Sequence, residues 1–380
     1  MVQSINSTQK IEETDGLPMP KRIWAVVSVG FALCMSVLDI NIVNIVLPTL
    51  SHDFGTSPAV TTWIINGYQL AIVISLLSFS ALGEIIGYRK VFLSGIGLFC
   101  ITSLICALSD SFWTLTVARI FQGFSASAIT SVNTAQLRYI YPKSQIGRGM
   151  GINAMVVAIS AAAGPSVASG ILSIASWHWL FAINVPLGLT ALFLGIKHLP
   201  RQEERSKRKF DYISAIANAV TFGLLIYTLD GFAHHEEMDF LFIQLVVLAV
   251  VGTYYVRRQL TQTTPLLPLD LLRIPIFRLS ILTSICSFIA QMSAMVSLPF
   301  FLQKQQIDQS SIHMHLLKHQ FLHLHNESLY HLFLTLPLIS MHFYQLLFFL
   351  ILMHSNPYHQ RDFQNLFEML ILTLILLNHL

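Results

Sequence analysis

Two charges of opposite sign stand where charge is costly. Asp39 lies inside an apolar stretch that begins near Trp24, and Arg119 lies inside another that begins near Phe112. Before Gln303, Arg119 is the one Lys or Arg found deep within such a stretch instead of between two or at the edge of one. A lone ion in hydrocarbon costs about 3 kcal/mol or more, so each of these residues needs a counter-charge or a wet cavity. A carboxylate paired with a guanidinium can do proton chemistry, because protonating the acid changes both its hydration and the attraction between the helices that carry the pair. The same pair can also be a static tie, and the two residues alone leave both uses open. Four polar groups on these and a neighbouring stretch, Asn41, Asn44, Tyr68 and Gln122, are candidates for lining a substrate cavity.

The elements that must hold these residues follow from composition. Of 380 residues, 54% are hydrophobic and 11% charged, with a mean hydropathy of +0.64; the solvent for most of the chain is therefore the lipid bilayer. A helix needs about 20 apolar residues to cross the hydrocarbon core. Nine such stretches precede Gln303, at about residues 24–47, 60–82, 91–108, 112–136, 152–175, 180–196, 213–231, 238–256 and 277–302. They are continuously apolar and too long for barrel strands, so the fold class expected is all-α, a polytopic transmembrane bundle. The first stretch lacks a small-residue cleavage site and reads as a retained helix.

Lys and Arg alternate from loop to loop. Loops 51–59, 109–111, 173–176 and 230–239 contain neither. Lys10, Lys21, Arg22, Arg89, Lys90, Arg138, Lys143, Arg148, a cluster from Lys197 to Lys209, Arg257, Arg258, Arg273 and Arg278 all lie on the other side. The positive-inside rule puts that side, and the N-terminus, in the cytoplasm of a multi-pass inner-membrane protein. These charges read as topogenic and not as a nucleic-acid surface; the net charge is only +3. Counting from the opposite face, Asp39 lies nine residues in from Pro48, about 13 Å, and Arg119 seven residues in from Phe112, about 10 Å. The two are expected to pair. Cys34, Cys100, Cys106 and Cys286 fall inside the stretches as small hydrophobes, with no zinc-type spacing and no cofactor motif. Nor do the stretches carry the spaced Ser/His or paired Asp motifs of an intramembrane enzyme.

Several motifs, in order, resemble the major facilitator superfamily, specifically its fourteen-helix drug:proton antiporter branch. Leu38-Asp39-Ile40-Asn41-Ile42-Val43-Asn44-Ile45-Val46-Leu47-Pro48 is similar to that branch's first-helix motif, and Trp63-Ile64-Ile65-Asn66-Gly67-Tyr68-Gln69-Leu70 to the opening of its second helix. The loop Ser80 to Lys90 resembles the signature between helices two and three, with Ser80 in place of a usual Gly and Glu84 in place of a usual Asp. There Gly87 permits a tight turn, while Glu84 and Arg89 can contact neighbouring helix ends and latch one conformation. Ala118-Arg119-Ile120-Phe121-Gln122-Gly123 resembles the fourth-helix motif, whose Arg the family associates with proton coupling. Gly164-Pro165-Ser166-Val167-Ala168-Ser169-Gly170 resembles the antiporter motif of helix five; Pro165 permits a bend there, although small residues also serve plain packing. Trp177 to Gly188 resembles the start of helix six, with His178 where Arg is common, and its tryptophans suit an interfacial anchor.

The resemblance implies an N-terminal tail (1–22), a complete six-helix bundle (23–196), a basic cytoplasmic loop (197–210), two inserted helices (211–256), and a loop with the first helix of a C-terminal half (257–303). It also implies transport of hydrophobic or cationic small molecules in exchange for protons, with Asp39 binding the proton and Arg119 responding to its charge. Residues 304–380 depart from the pattern. No Gly, Ala or Val follows Val296, and ten of the 15 His fall in the last 78 residues, as reading in a shifted frame would produce. The C-terminal half is then incomplete, and the chain could be a truncated, non-transporting membrane protein. A competing reading of this tail is a metal site at His315, His319 and His323, whose spacing places them on one helix face.

Overall fold

In lipid, a helix satisfies its backbone groups within itself, and each apolar stretch takes that solution. The computed structural model describes residues 15–201, 210–233, 238–262, 265–267 and 269–289. The chain divides into two units, Met1–Pro268 and Leu269–Leu380. The first carries α1 (Met19–Asp53), α2 (Pro58–Thr61), α3 (Trp63–Ile86), α4 (Tyr88–Ala107), α5 (Phe112–Ile140), α6 (Ile146–Leu172), α7 (His178–Ala182), α8 (Asn184–His198), α9 (Tyr212–Ala233) and α10 (Met238–Thr261). In the second, a 3-10 turn at Leu269–Arg273 precedes α11 (Pro275–Ile289). No strand occurs among the described residues. The remainder of the 277–302 stretch and the His-rich segment lie outside the described residues.

Two expectations need correction. Stretch 112–136 is a helix of 29 residues, but it is not among the seven described segments long and apolar enough to cross a membrane. Its polar side chains are tolerated because other helices enclose them or because they bond back along α5, as Thr116 does to the Phe112 carbonyl at 2.8 Å. Secondly, α1 does not stop at Pro48. It runs on to Asp53, with Phe54 N–H closing on the Leu50 carbonyl at 3.0 Å, so its 35 residues span about 52 Å. Asp39 therefore lies about 21 Å from the true helix end. Stretch 180–196 stands as one apolar span, His178–His198, in which Ile183 keeps helical backbone (φ −61°, ψ −25°) between α7 and α8. Pro186 has no N–H to return to the Ala182 carbonyl, which removes one rung of the helix.

Packing is arranged around α5, which lies along both α3 and α4, while α1 lies along α6 and α8. Small residues allow these approaches. A Cβ on Gly123 would collide with the Tyr68 carbonyl, and one on Gly164 would meet the Asn41 Cβ at 2.7 Å. α9 and α10 pair with each other, and α9 leans on α3, where Asn218 donates to the Ile74 carbonyl at 3.1 Å.

Two apolar clusters fill this unit. One gathers Ala25–Met35 of α1, Val91–Cys100 of α4, Ala126–Ile140 of α5 and part of α8. The other gathers Leu38–Leu50 of α1, Cys106 and Ala107 of α4, Phe112–Ala118 of α5 and the Trp177–Phe181 region. The segment from Arg119 to Ser125 separates them on α5, and Ser103 lies between them on α4.

Candidate functional site

A polar layer fills the gap between the two apolar clusters. α1 brings Asp39, α3 Tyr68, α4 Ser103, α5 Arg119 with Gln122 three residues on, and α8 its first residue, Asn184. Arg119 Nη1 donates to Asp39 Oδ2 and, at 2.8 Å, to Gln122 Oε1. Asp39 Oδ1 accepts from Gln122 Nε2 at 3.1 Å and from Asn184 Nδ2 at 2.9 Å. Gln122 Nε2 also donates to Ser103 Oγ at 2.8 Å, and Cys106 Sγ lies 3.5 Å from Gln122 Oε1. The guanidinium lies over the Tyr68 ring, 4.0 Å from its centroid, and a second ring, Phe181, stands at 5.8 Å. Both charged side chains are 1% exposed. Burying an ion pair so completely does not by itself stabilise a fold, because desolvation offsets the attraction; breaking such a pair on one side is what costs most.

The sequence-derived candidates divide cleanly. Asp39, Arg119, Tyr68 and Gln122 come together. Asn41 and Asn44 do not join them: Asn41 donates to its own helix at the Val37 carbonyl, 2.8 Å away, against Gly164 of α6, and Asn44 is exposed. Pro165 follows Gly164 inside α6. Gly87, with φ +104°, is the single residue between α3 and α4. Arg89 beside it donates to the Ile196 carbonyl at 2.5 Å, in the last turn of α8, and Glu84 occupies the last turn of α3. Along α3, Glu84 is about 24 Å from Tyr68. Ser103, Cys106 and Asn184 belong to the layer but were not singled out from sequence; the only signal was a polar residue amid apolar ones.

The two tryptophans differ from the anchor pair expected. Trp179 is exposed, but Trp177 is buried, donating to Asp53 Oδ2 at 3.0 Å and packing edge-on against Phe54. The long reach of α1 supplies both partners. A second carboxylate–guanidinium pair lies at the start of α9. Asp211 accepts from Arg258 Nη2 at 3.1 Å, from the Ser214 hydroxyl and N–H, and from Gln262 Nε2, which ties α9 to the end of α10. Burial opposes ionisation of Asp211, but these hydrogen bonds outweigh it and hold its carboxyl well below the usual carboxylate range. No cluster of three or more His, Cys, Asp or Glu able to hold a metal occurs among the described residues.

Residues 29–313 match the Major Facilitator Superfamily. The chain is 55% identical over 292 residues to the Uncharacterized transporter YebQ of Escherichia coli (strain K12), covering 77% of this chain and 64% of that protein. It is 32% identical over 264 residues to the Tetracenomycin C resistance and export protein of Streptomyces glaucescens, covering 68% and 48%. To the Putative multidrug resistance protein MdtD of Salmonella typhi it is 30% identical over 284 residues, covering 74% and 60%. The chain thus spans less than two thirds of the length of these relatives. Among solved structures, the human organic anion transporter MFSD10 (TETRAN) aligns with a TM-score of 0.43 at 17% identity, covering 55% of each chain.

Proposed function

The chain belongs to the Major Facilitator Superfamily, and from that premise we propose that it is a proton-coupled antiporter of the drug-efflux branch, exporting hydrophobic or cationic compounds from the cytoplasm. The observation that carries this reading is the sealed Asp39–Arg119 pair. Asp39 binds the proton, Arg119 responds to the change of charge, and rocking of helix bundles about a central cavity exchanges proton for substrate. Glu84, Gly87 and Arg89 act as the conformational latch at the end of α3, and Gly164 with Pro165 as the flexible part of the antiporter helix. Relatives named for resistance and export favour efflux over uptake. The distribution of basic loops supports an N-terminus in the cytoplasm.

A second reading is that this product inserts but does not transport. The loss of Gly, Ala and Val after Val296 favours it, because a second bundle needs small residues at its helix contacts. Inverted membrane vesicles bearing the full chain, energised with a pH gradient and offered ethidium, separate the two. Uptake that Asp39→Asn abolishes supports the antiporter. Uptake that Asp39→Asn leaves unchanged defeats the proton assignment, and no uptake by the unsubstituted chain supports the second reading.

A further inference from the structure

Every hydrogen-bond partner of the Asp39 carboxylate among the described residues is a donor. Oδ2 faces Arg119 Nη1, while Oδ1 faces the amide nitrogens of Gln122 and Asn184. An ionised carboxylate only accepts, so these surroundings suit it; a protonated one carries an O–H that needs an acceptor. Protonation with no other change would set hydrogen against hydrogen at whichever oxygen took the proton. Among the groups bonded to Asp39, an amide is the one that can reverse its polarity in place, by half a turn about its last side-chain torsion. Of the two amides, Gln122 is committed at both ends, its nitrogen also to Ser103 and its oxygen to Arg119. Asn184 is committed at one end. Its Oδ1 is buried and accepts nothing from the described residues, a spare acceptor on a side chain already touching Asp39.

We propose that Asn184 is a positioning residue that turns its amide over when Asp39 takes up a proton, so that Asn184 Oδ1 accepts the new carboxyl O–H. This rests on reading Asp39 as the proton site and adds what receives the proton's hydrogen bond. The proton comes from water, and no bond other than O–H forms. The charged or titratable groups near Asp39 are Arg119 from α5, Tyr68 from α3 and Cys106 from α4. α6 and α7 carry theirs, Arg148 and His178, in their first turns, and α8 carries Lys197 and His198 in its last. Asn184 is the first residue of α8, next to Ile183, and Pro186 two residues on leaves the Ala182 carbonyl without its helical N–H. Protonation on α1 is thereby felt by a side chain of another helix.

Infrared difference spectra of the full chain in lipid bilayers, acid minus neutral, test this. The unsubstituted chain is expected to show a protonated-carboxyl band, absent in Asp39→Asn, accompanied by a change in a side-chain amide band. In Asn184→Ala the amide change disappears and the carboxyl band moves to higher frequency, because its O–H has lost its acceptor. In Asn184→Thr, whose hydroxyl can donate or accept, the amide change disappears while the carboxyl band stays near its native position. A carboxyl band that Asn184→Ala leaves unmoved, or an amide change that survives it, overturns the turning amide while leaving Asp39 as the proton site. Should Asn184→Ala fail to fold, the survival or loss of the amide change in Asn184→Thr decides alone. A carboxyl band that Asp39→Asn leaves in place removes the proton site itself, and the turning amide with it.

Discussion

Among the described residues, two carboxylate–guanidinium pairs that join different helices share their chemistry and differ in setting. Asp39 and Arg119 are each 1% exposed, sealed between two apolar clusters in mid-helix. Asp211 and Arg258, 23% and 25% exposed, sit at the ends of α9 and α10, where Asp211 also caps the first turn of α9. The outer pair does what a helix end asks for, with a carboxylate on the orphan Ser214 N–H and a guanidinium tying α10 back to α9. No such local need explains the inner pair. Apolar side chains of similar size would fill the same space at less cost in desolvation. On the proposed function, the use of these two ions is other than stability: a titratable acid at the meeting point of α1, α4, α5 and α8.

Substitutions can break or sharpen this contrast. The largest effect is expected at the inner pair: Arg119→Ala strands a buried carboxylate and should cost about 3–5 kcal/mol, read as a fall in the detergent melting temperature. The double variant Asp39→Asn/Arg119→Gln, which removes both charges, should recover much of that loss; a double variant no better than Arg119→Ala would mean that the pair is structural. Next comes the wall of the inner site. Gly123→Val pushes a side chain into the Tyr68 carbonyl, and overpacking of this kind costs about 1–3 kcal/mol, visible as a lower melting temperature.

At the outer pair, Asp211→Ala should cost about 1–2 kcal/mol through loss of the cap and its partner. Its pH dependence has a definite sign. The Asp211 carboxyl is held below its ordinary value of 3.8, so its contribution is full above that value and is lost as pH falls through the folded one. The deficit of Asp211→Ala relative to the unsubstituted chain should therefore stay level from about pH 8 to 5 and shrink below about pH 4. A deficit that grows on acidification would reverse the assignment. The smallest effect is expected at Arg273, which lies 4.0 Å from Asp270 with both side chains largely in solvent. Arg273→Ala should leave the melting temperature unchanged.

The inner pair was legible in the sequence because a charge inside an apolar stretch has few places to go; the depth match that also joined Asp39 to Arg119 took Pro48 as the end of α1, which in fact lies at Asp53. Gln122 was legible too, as the polar group one turn from Arg119. Asn184 and Ser103 were not. Ser and Asn on helices often bond their own backbone, as Asn41 and Ser94 do here, and nothing local distinguishes the two that reach across. Which face of α8 meets α1 is decided by Gly188 and Gly195 packing against Met35 and Ser28, a tertiary fact. Pro48 looked like the end of α1 because proline usually marks one, yet a lost rung near a helix end is cheap enough for the helix to continue. Trp177 looked like a membrane anchor for want of knowing that α1 extends far enough to cover it. Helix type and order were therefore readable, while ends and facing residues, which depend on neighbours, were not.

The central claim is that Asp39 exchanges its proton against substrate. Adding tetraphenylphosphonium to the full chain in weakly buffered detergent solution, and following the pH, tests it most directly. Proton release by the unsubstituted chain and none by Asp39→Asn is the predicted result; equal release from both, or none from either, would contradict it.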